Sequence, residues 1–140
     1  MENNKLIFNK DEPVTNIIGQ LFKTAFKNNA DGARIVPSEK EAEISYSVGQ
    51  SNVSLATVSS EMFDNIVSRL KIMAKLKLSE KNKSQEGSFP VTISDQDKTA
   101  KANISTLPTQ YGENVSIKFS DIGPIVYSKK EFVRDDLRNL

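Results

Sequence analysis

Apolar residues at Val14, Ile17, Ile18, Leu21, Phe22, Ala25 and Phe26 recur about every 3.6 positions, which predicts a helix with one buried stripe. Asp11-Glu12-Pro13 reads as its start, with Asp11 capping the free amides and Pro13 where a missing N–H costs nothing. Lys27 to Gly32 ends it. A strand is expected over Ala33–Val36. After Pro37-Ser38-Glu39-Lys40, apolar Ala42, Ile44, Tyr46 and Val48 alternate with polar Glu43, Ser45 and Ser47, the mark of a strand with one wet face. Gly49 to Asn52 reads as a turn and Val53–Val58 as the returning strand.

Ser59 or Ser60 is expected to cap a second helix. Its stripe is Phe63, Ile66, Val67, Leu70, Met73 and Ala74, and its end falls near Leu76 or Leu78. Ser79–Gly87 is polar and reads as a loop. Three strands follow, at Ser88–Ser94, Thr99–Ser105 and Glu113–Phe119. Asp121-Ile122-Gly123-Pro124 breaks the order, and Ser128 is placed to cap a last helix to Leu140. Residues 1–10 read as an arm with a short strand over Lys5–Phe8, and residues 11–140 as one domain. Short strand-to-strand connections imply antiparallel pairing, so the fold class is α+β. No internal repeat or low-complexity segment is visible.

Composition narrows the chemistry. With 140 residues the chain can bury a sizeable core without staples. Cysteine and histidine are both missing, which excludes disulfides, thiol catalysis, the commonest general base and the commonest metal ligand. A net charge of +1 argues against a nucleic-acid footprint. No apolar run is long enough for a membrane span or a secretory leader, so no membrane insertion is expected and the chain reads as cytoplasmic.

Several local motifs occur in a telling order. Ala30-Asp-Gly-Ala-Arg-Ile-Val-Pro37 is followed by Glu39-Lys-Glu41, then Val67-Ser-Arg-Leu-Lys-Ile-Met-Ala-Lys-Leu76, Ser84-Gln-Glu-Gly87 and Ile104-Ser-Thr-Leu-Pro-Thr-Gln-Tyr-Gly-Glu113. Together they resemble the domain that precedes the motor core in the ATPases of type II secretion and type IV pilus assembly. The resemblance covers about residues 11–119 and implies a PAS-like layer of antiparallel sheet packed against helices. In that family the domain packs on the motor and offers arginines toward bound nucleotide, a role that suits planar, permanently charged guanidinium groups.

At the matching positions this chain has mostly lost those arginines. The family's Arg-x-Asp-Gly hairpin is Ser47-Val-Gly-Gln50 here, and further matching positions hold Ser88, Asn103 and Lys118. The family strand's His and Glu are Arg34 and Val36. No Gly-x-x-x-x-Gly-Lys-Ser/Thr loop occurs, and the six glycines are too dispersed to build one. The resemblance therefore implies a packed scaffold without the phosphate-facing charge, and no enzyme activity in this segment.

The remaining chemistry is sparse. Asp95, Asp97 and Asp121 lack the Gly-containing loop of an oxygen-ligand cation site, and Asp95-Gln-Asp97-Lys98 reads as a polar hairpin turn. Glu80 and Glu86 lie in a polar loop with nothing to shift a pKa toward general-acid work. No catalytic, cofactor-binding or metal-binding residue is assigned. Arg69, Lys71, Lys75 and Lys77, with Lys81 and Lys83 beyond, form a basic stretch. With Tyr111 and Glu113 of the hairpin, Arg69, Lys71, Lys75 and Lys77 are the candidate contacts for a protein partner, namely a secretion or pilus ATPase or an assembly protein. The alternatives are a piece of a longer ATPase and a small nucleotide-sensing domain.

Overall fold

The periodic segments fold as their spacing predicts. The computed structural model describes Leu6, Phe8 and residues 11–125. Helix α1 (Val14–Lys27) buries Ile17, Ile18, Leu21, Phe22, Ala25 and Phe26. Helix α2 (Ser60–Met73) buries Met62, Phe63, Ile66, Val67, Leu70 and Lys71. Six strands accompany them: β1 (Gly32–Pro37), β2 (Glu41–Val48), β3 (Ser51–Ser59), β4 (Gln85–Ile93), β5 (Lys98–Thr109) and β6 (Gly112–Pro124).

They form one antiparallel sheet in the order β3-β2-β1-β6-β5-β4, an α+β fold. A helix followed by a three-stranded meander thus occurs twice, without sequence repetition, and pairing of β1 with β6 joins the two halves. The inward residues of all six strands and both helix stripes make a single hydrophobic cluster. Among the described residues both helices cover this face, and the opposite face of the sheet stays uncovered. In β3 a bulge makes both Leu55 and Ala56 point inward. The Leu55 carbonyl accepts a hydrogen bond from the Leu6 amide at 2.6 Å, so the arm meets the sheet edge there.

Several boundaries differ from the sequence reading. Asp11 does not cap α1. Pro13 takes the cap position with an extended backbone, and its carbonyl accepts from the Asn16 and Ile17 amides. Ser59 does cap α2, accepting from the Met62 amide at 3.2 Å. That helix stops at Met73, short of Leu76 and Leu78. Lys75 turns into the left-handed region at φ 62°, the Leu76 amide reaches back to the Lys71 carbonyl and the Lys75 amide to that of Ile72. Those two bonds are the Schellman arrangement, which ends a helix regardless of the apolar pattern beyond it.

Strands β4, β5 and β6 all extend past their expected ends. β4 starts at Gln85, inside the expected loop. β5 runs on through Leu107-Pro108-Thr109, a stretch read as a break. Proline is tolerated at Pro108 because β4 pairs β5 only as far as Thr106, leaving one side of β5 without a ladder partner there. β6 continues through Asp121 to Pro124, absorbing a left-handed Asp121 (φ 54°) opposite a register shift in β5. The expected helix over 128–140 lies outside the described residues, as do Lys5 and Ile7 of the expected strand at 5–8, and Leu6 and Phe8 are in no strand.

Gly87 shows how closely β4 approaches α2. A Cβ there would lie 2.7 Å from the Ala74 carbonyl oxygen and 2.9 Å from a Leu76 methyl. Gly87→Ala is expected to destabilise the protein by about 1–3 kcal/mol through overpacking. Gly123→Ala, where a Cβ would meet nothing within 4 Å, should leave the urea midpoint nearly unchanged by comparison.

Candidate functional site

The six residues expected to meet a partner fall around the end of α2 and the β5–β6 hairpin, and two of them point inward. Lys71 Nζ lies 2.8 Å from Glu113 Oε1, with Lys71 2% and Glu113 6% exposed. Lys71 also donates to the Glu80 carbonyl at 3.4 Å. Lys71 and Glu113 are therefore corrected as partner contacts: they form a buried ion pair that ties α2 to β6. Lys71 occupies a stripe position of α2, four residues after buried Val67 and three before buried Ala74, and the aliphatic stem of a lysine can fill such a position. Glu113 Oε2 is buried and has no hydrogen-bond partner among the described residues.

The other four nominated residues face solvent. Arg69, Lys75 and Lys77 are exposed, and Tyr111 is 48% exposed at the hairpin tip. The Tyr111 amide donates to the Thr109 hydroxyl at 3.2 Å, and that hydroxyl donates to the Gly112 carbonyl. Gly112 itself sits at φ 125°, which only glycine adopts readily.

Sequence reasoning missed what shapes the segment after α2. The Gln85 side chain accepts from the Lys77 amide at 2.9 Å and donates to the Lys77 carbonyl at 2.9 Å and the Glu80 carbonyl at 3.2 Å. One glutamine thereby fastens residues 77–80 onto the start of β4. Two aliphatic side chains in the stretch from the end of α2 to this clasp, Ile72 and Leu78, are 53% and 44% exposed. Ile72 lies off the stripe of α2, and Leu78 leaves the stripe because the helix has already stopped.

The uncovered sheet face is the second region. Cα register places Ser47 beside Gly32, Gly32 beside Lys118, Lys118 beside Asn103 and Asn103 beside Ser88. The positions at which the expected arginines are replaced thus line up in one row across five strands. A neighbouring row runs Ser45, Arg34, Ser116, Ser105 and Glu86. Asn103 Nδ2 donates to the Lys118 carbonyl at 2.9 Å and to Ser120 Oγ at 3.0 Å. Both rows border an open depression of about 900 Å³. Hydroxyls, one amide, one ammonium, one guanidinium and the Glu86 carboxylate can make hydrogen bonds there.

Asp95 and Asp97 lie in the turn between β4 and β5, Asp97 in the left-handed region. Lys23 bonds Asp95 at 3.2 Å and holds its carboxyl below the usual aspartate value. The group is exposed, so solvent screens the pair.

The family model of type II/IV secretion system proteins matches residues 8–131. The chain belongs to that family. Among its relatives, Protein transport protein HofB homolog of Haemophilus influenzae is 29% identical over 123 residues, covering 86% of this chain and 26% of the relative. Type IV pilus assembly ATPase PilB of Acinetobacter baylyi is 31% identical over 113 residues, covering 80% and 19%. Type II secretion system protein E of Xanthomonas campestris pv. campestris is 28% identical over 129 residues, covering 91% and 22%. This secretion-family chain therefore spans only 19–26% of the length of these curated relatives. Among its described residues, no helix is long and apolar enough to cross a membrane.

Proposed function

We propose that this domain is a non-catalytic protein-binding or regulatory module that docks, in the cytoplasm, on a secretion or pilus-assembly ATPase or on its assembly partners. The supporting observation is the row of Ser47, Gly32, Lys118, Asn103 and Ser88 across the uncovered face. Where the family resemblance sets arginines for nucleotide, this row keeps one cation and small polar groups. The core beneath keeps its packing. A scaffold so altered suits contact with protein better than a grip on a triphosphate, which needs several convergent positive donors.

A second reading is that the domain is a piece of a longer ATPase. It is favoured by the small share of each relative that the chain spans. A reading frame that continues past Leu140 into a phosphate-binding loop would decide for it.

The docking experiment mixes the purified chain with a full-length type IV pilus assembly ATPase or type II secretion ATPase in analytical ultracentrifugation. A co-sedimenting complex with micromolar or tighter affinity, and a changed ATP hydrolysis rate, is the expected result. Free sedimentation of both proteins would remove the reading. Calorimetry of the chain alone with ATP, GTP and cyclic dinucleotides is expected to show no heat, and a saturable signal would favour nucleotide sensing instead.

A further inference from the structure

Positive charge is concentrated on one small part of this molecule. Residues 69–83 hold six cations and a single acid, a net of +5, while the whole chain is +1. The rest of the chain is therefore −4. One of the six, Lys71, is spent internally on Glu113. Arg69, Lys75, Lys77, Lys81 and Lys83 all remain exposed. Among the described residues, only Lys77 of these has an acidic neighbour within bridging range, Glu80 at 3.8 Å, and that exposed pair is weak.

The same stretch of chain carries two large aliphatic side chains that are not packed away, Ile72 and Leu78. Arg69 lies one turn before Ile72 on the same side of α2, and Lys75 follows in the left-handed turn that ends the helix. Leu78 stands between Lys77 and Lys81 in the segment that follows. That segment is not a loose tail. The Gln85 side chain clasps Lys77 and Glu80 through three backbone bonds, and Lys71 reaches the Glu80 carbonyl from beneath. A held backbone lowers the ordering cost of binding, so affinity is not lost to fixing the surface in place.

We infer that the end of α2 and residues 75–83 form a docking surface for an acidic amphipathic protein segment, with its apolar residues on Ile72 and Leu78 and its carboxylates among Arg69, Lys75, Lys77, Lys81 and Lys83. Charge complementarity selects the occupant, because a basic or neutral segment would gain nothing from five exposed cations. The two aliphatics select an amphipathic segment over a purely acidic one. This inference rests on the docking reading above and names the chemistry of the partner.

The test uses three probes on the intact chain. The first is a synthetic Glu/Leu amphipathic peptide of about 16 residues, roughly 24 Å long as a helix. The second is the same peptide with every Leu changed to Ser, and the third is phosphatidylglycerol vesicles. The Glu/Leu peptide is expected to shift the amide signals of residues 69–83. The Ser peptide should bind roughly tenfold more weakly or worse, since it loses the apolar contact. Ile72→Ser/Leu78→Ser should weaken the Glu/Leu peptide by about the same factor. Lys77→Glu/Lys81→Glu should weaken it more at low salt than at high salt. All four positions are exposed, so unchanged thermal melts should confirm that these variants fold.

Equal binding of the two peptides, amide shifts mapping elsewhere, or protein captured by vesicles but not by the Glu/Leu peptide would overturn the inference. Because the probe is a peptide, this result is separable from the ATPase experiment. An ATPase complex that survives Lys77→Glu/Lys81→Glu would remove this surface and leave docking intact.

Discussion

Lys71→Met is expected to destabilise the protein by about 3–5 kcal/mol, because it strands a charged Glu113 in the interior. The pair is short, at 2.8 Å, and both side chains are almost wholly enclosed. Among the described residues Glu113 Oε2 already lacks a partner, so none of them offers a spare hydrogen bond to absorb the loss of the ammonium. The Glu80 carbonyl would lose one of its two donors and keep that of Gln85. The companion variant Lys71→Met/Glu113→Leu removes both charges and should recover most of the loss, since an apolar replacement of a buried pair is often neutral or better. Urea unfolding with an unchanged slope would report both effects as shifts in midpoint. A single variant costing less than about 1 kcal/mol, or a double variant as unstable as the single, would show that the pair does not bear on stability this way.

The pair also links stability to the proposed docking surface. Lys71 joins α2, the Glu80 carbonyl and the hairpin strand β6, so its removal loosens the segment that carries Lys77 and Leu78. Binding lost in Lys71→Met would therefore say little about contact. The exposed side chains of Ile72, Leu78, Lys77 and Lys81 are the informative positions, because they hold no part of the core.

Much of the architecture was legible from period alone. The stripe from Ile17 to Phe26 and the alternation from Ala42 to Tyr46 are local patterns imposed by burial of one face, and the structure follows them, whereas Val48, expected on the same face, ends exposed beside the turn. Local pattern was a poorer guide where a distant neighbour decides. Leu76 and Leu78 prolong the apolar run of α2, but the left-handed turn at Lys75 ends the helix, and lysine carries no propensity that announces such a turn. Pro108 looked like a break because proline removes a donor; it is accommodated in β5 because β4 ends first, a fact of sheet assembly. Lys71 was counted with its basic neighbours by charge, although its spacing from Val67 and Ala74 marked it as a stripe residue. The row from Ser47 to Ser88 draws on residues as far apart in the chain as Gly32 and Lys118, and only the sheet order brings them side by side. Gln85 offered no signal, since its role depends on a carbonyl and an amide of a segment eight residues away.

Phe119→Ala should be the most damaging single truncation in the core, at about 3–5 kcal/mol. Phe119 lies on β6, the strand through which the two halves of the sheet meet, and is nearly fully buried. Its ring packs edge-on against Phe26 at 4.7 Å and Phe22 at 5.7 Å between centroids, and Phe22 in turn meets Phe89 of β4 at 6.0 Å. One side chain thus holds α1 against β6 and, through Phe22, against the far edge of the sheet. Its amide donates to the Asp31 carbonyl at 3.0 Å, prolonging the contact between β6 and the start of β1. Truncation leaves a cavity bounded by two other rings, and rings fixed in a helix stripe cannot collapse into it cheaply. Phe119→Leu should cost clearly less, because most of the volume stays while the edge-to-face contacts, worth about 0.5–1.5 kcal/mol, are lost. Tyr111→Ala, at the exposed hairpin tip, should stay within about 0.5 kcal/mol of the parent. Urea midpoints for the three variants would rank them, and amide exchange should rise in both meanders of Phe119→Ala together. Exchange that rises in β4–β5–β6 alone would mean the halves unfold separately and that Phe119 does not couple them.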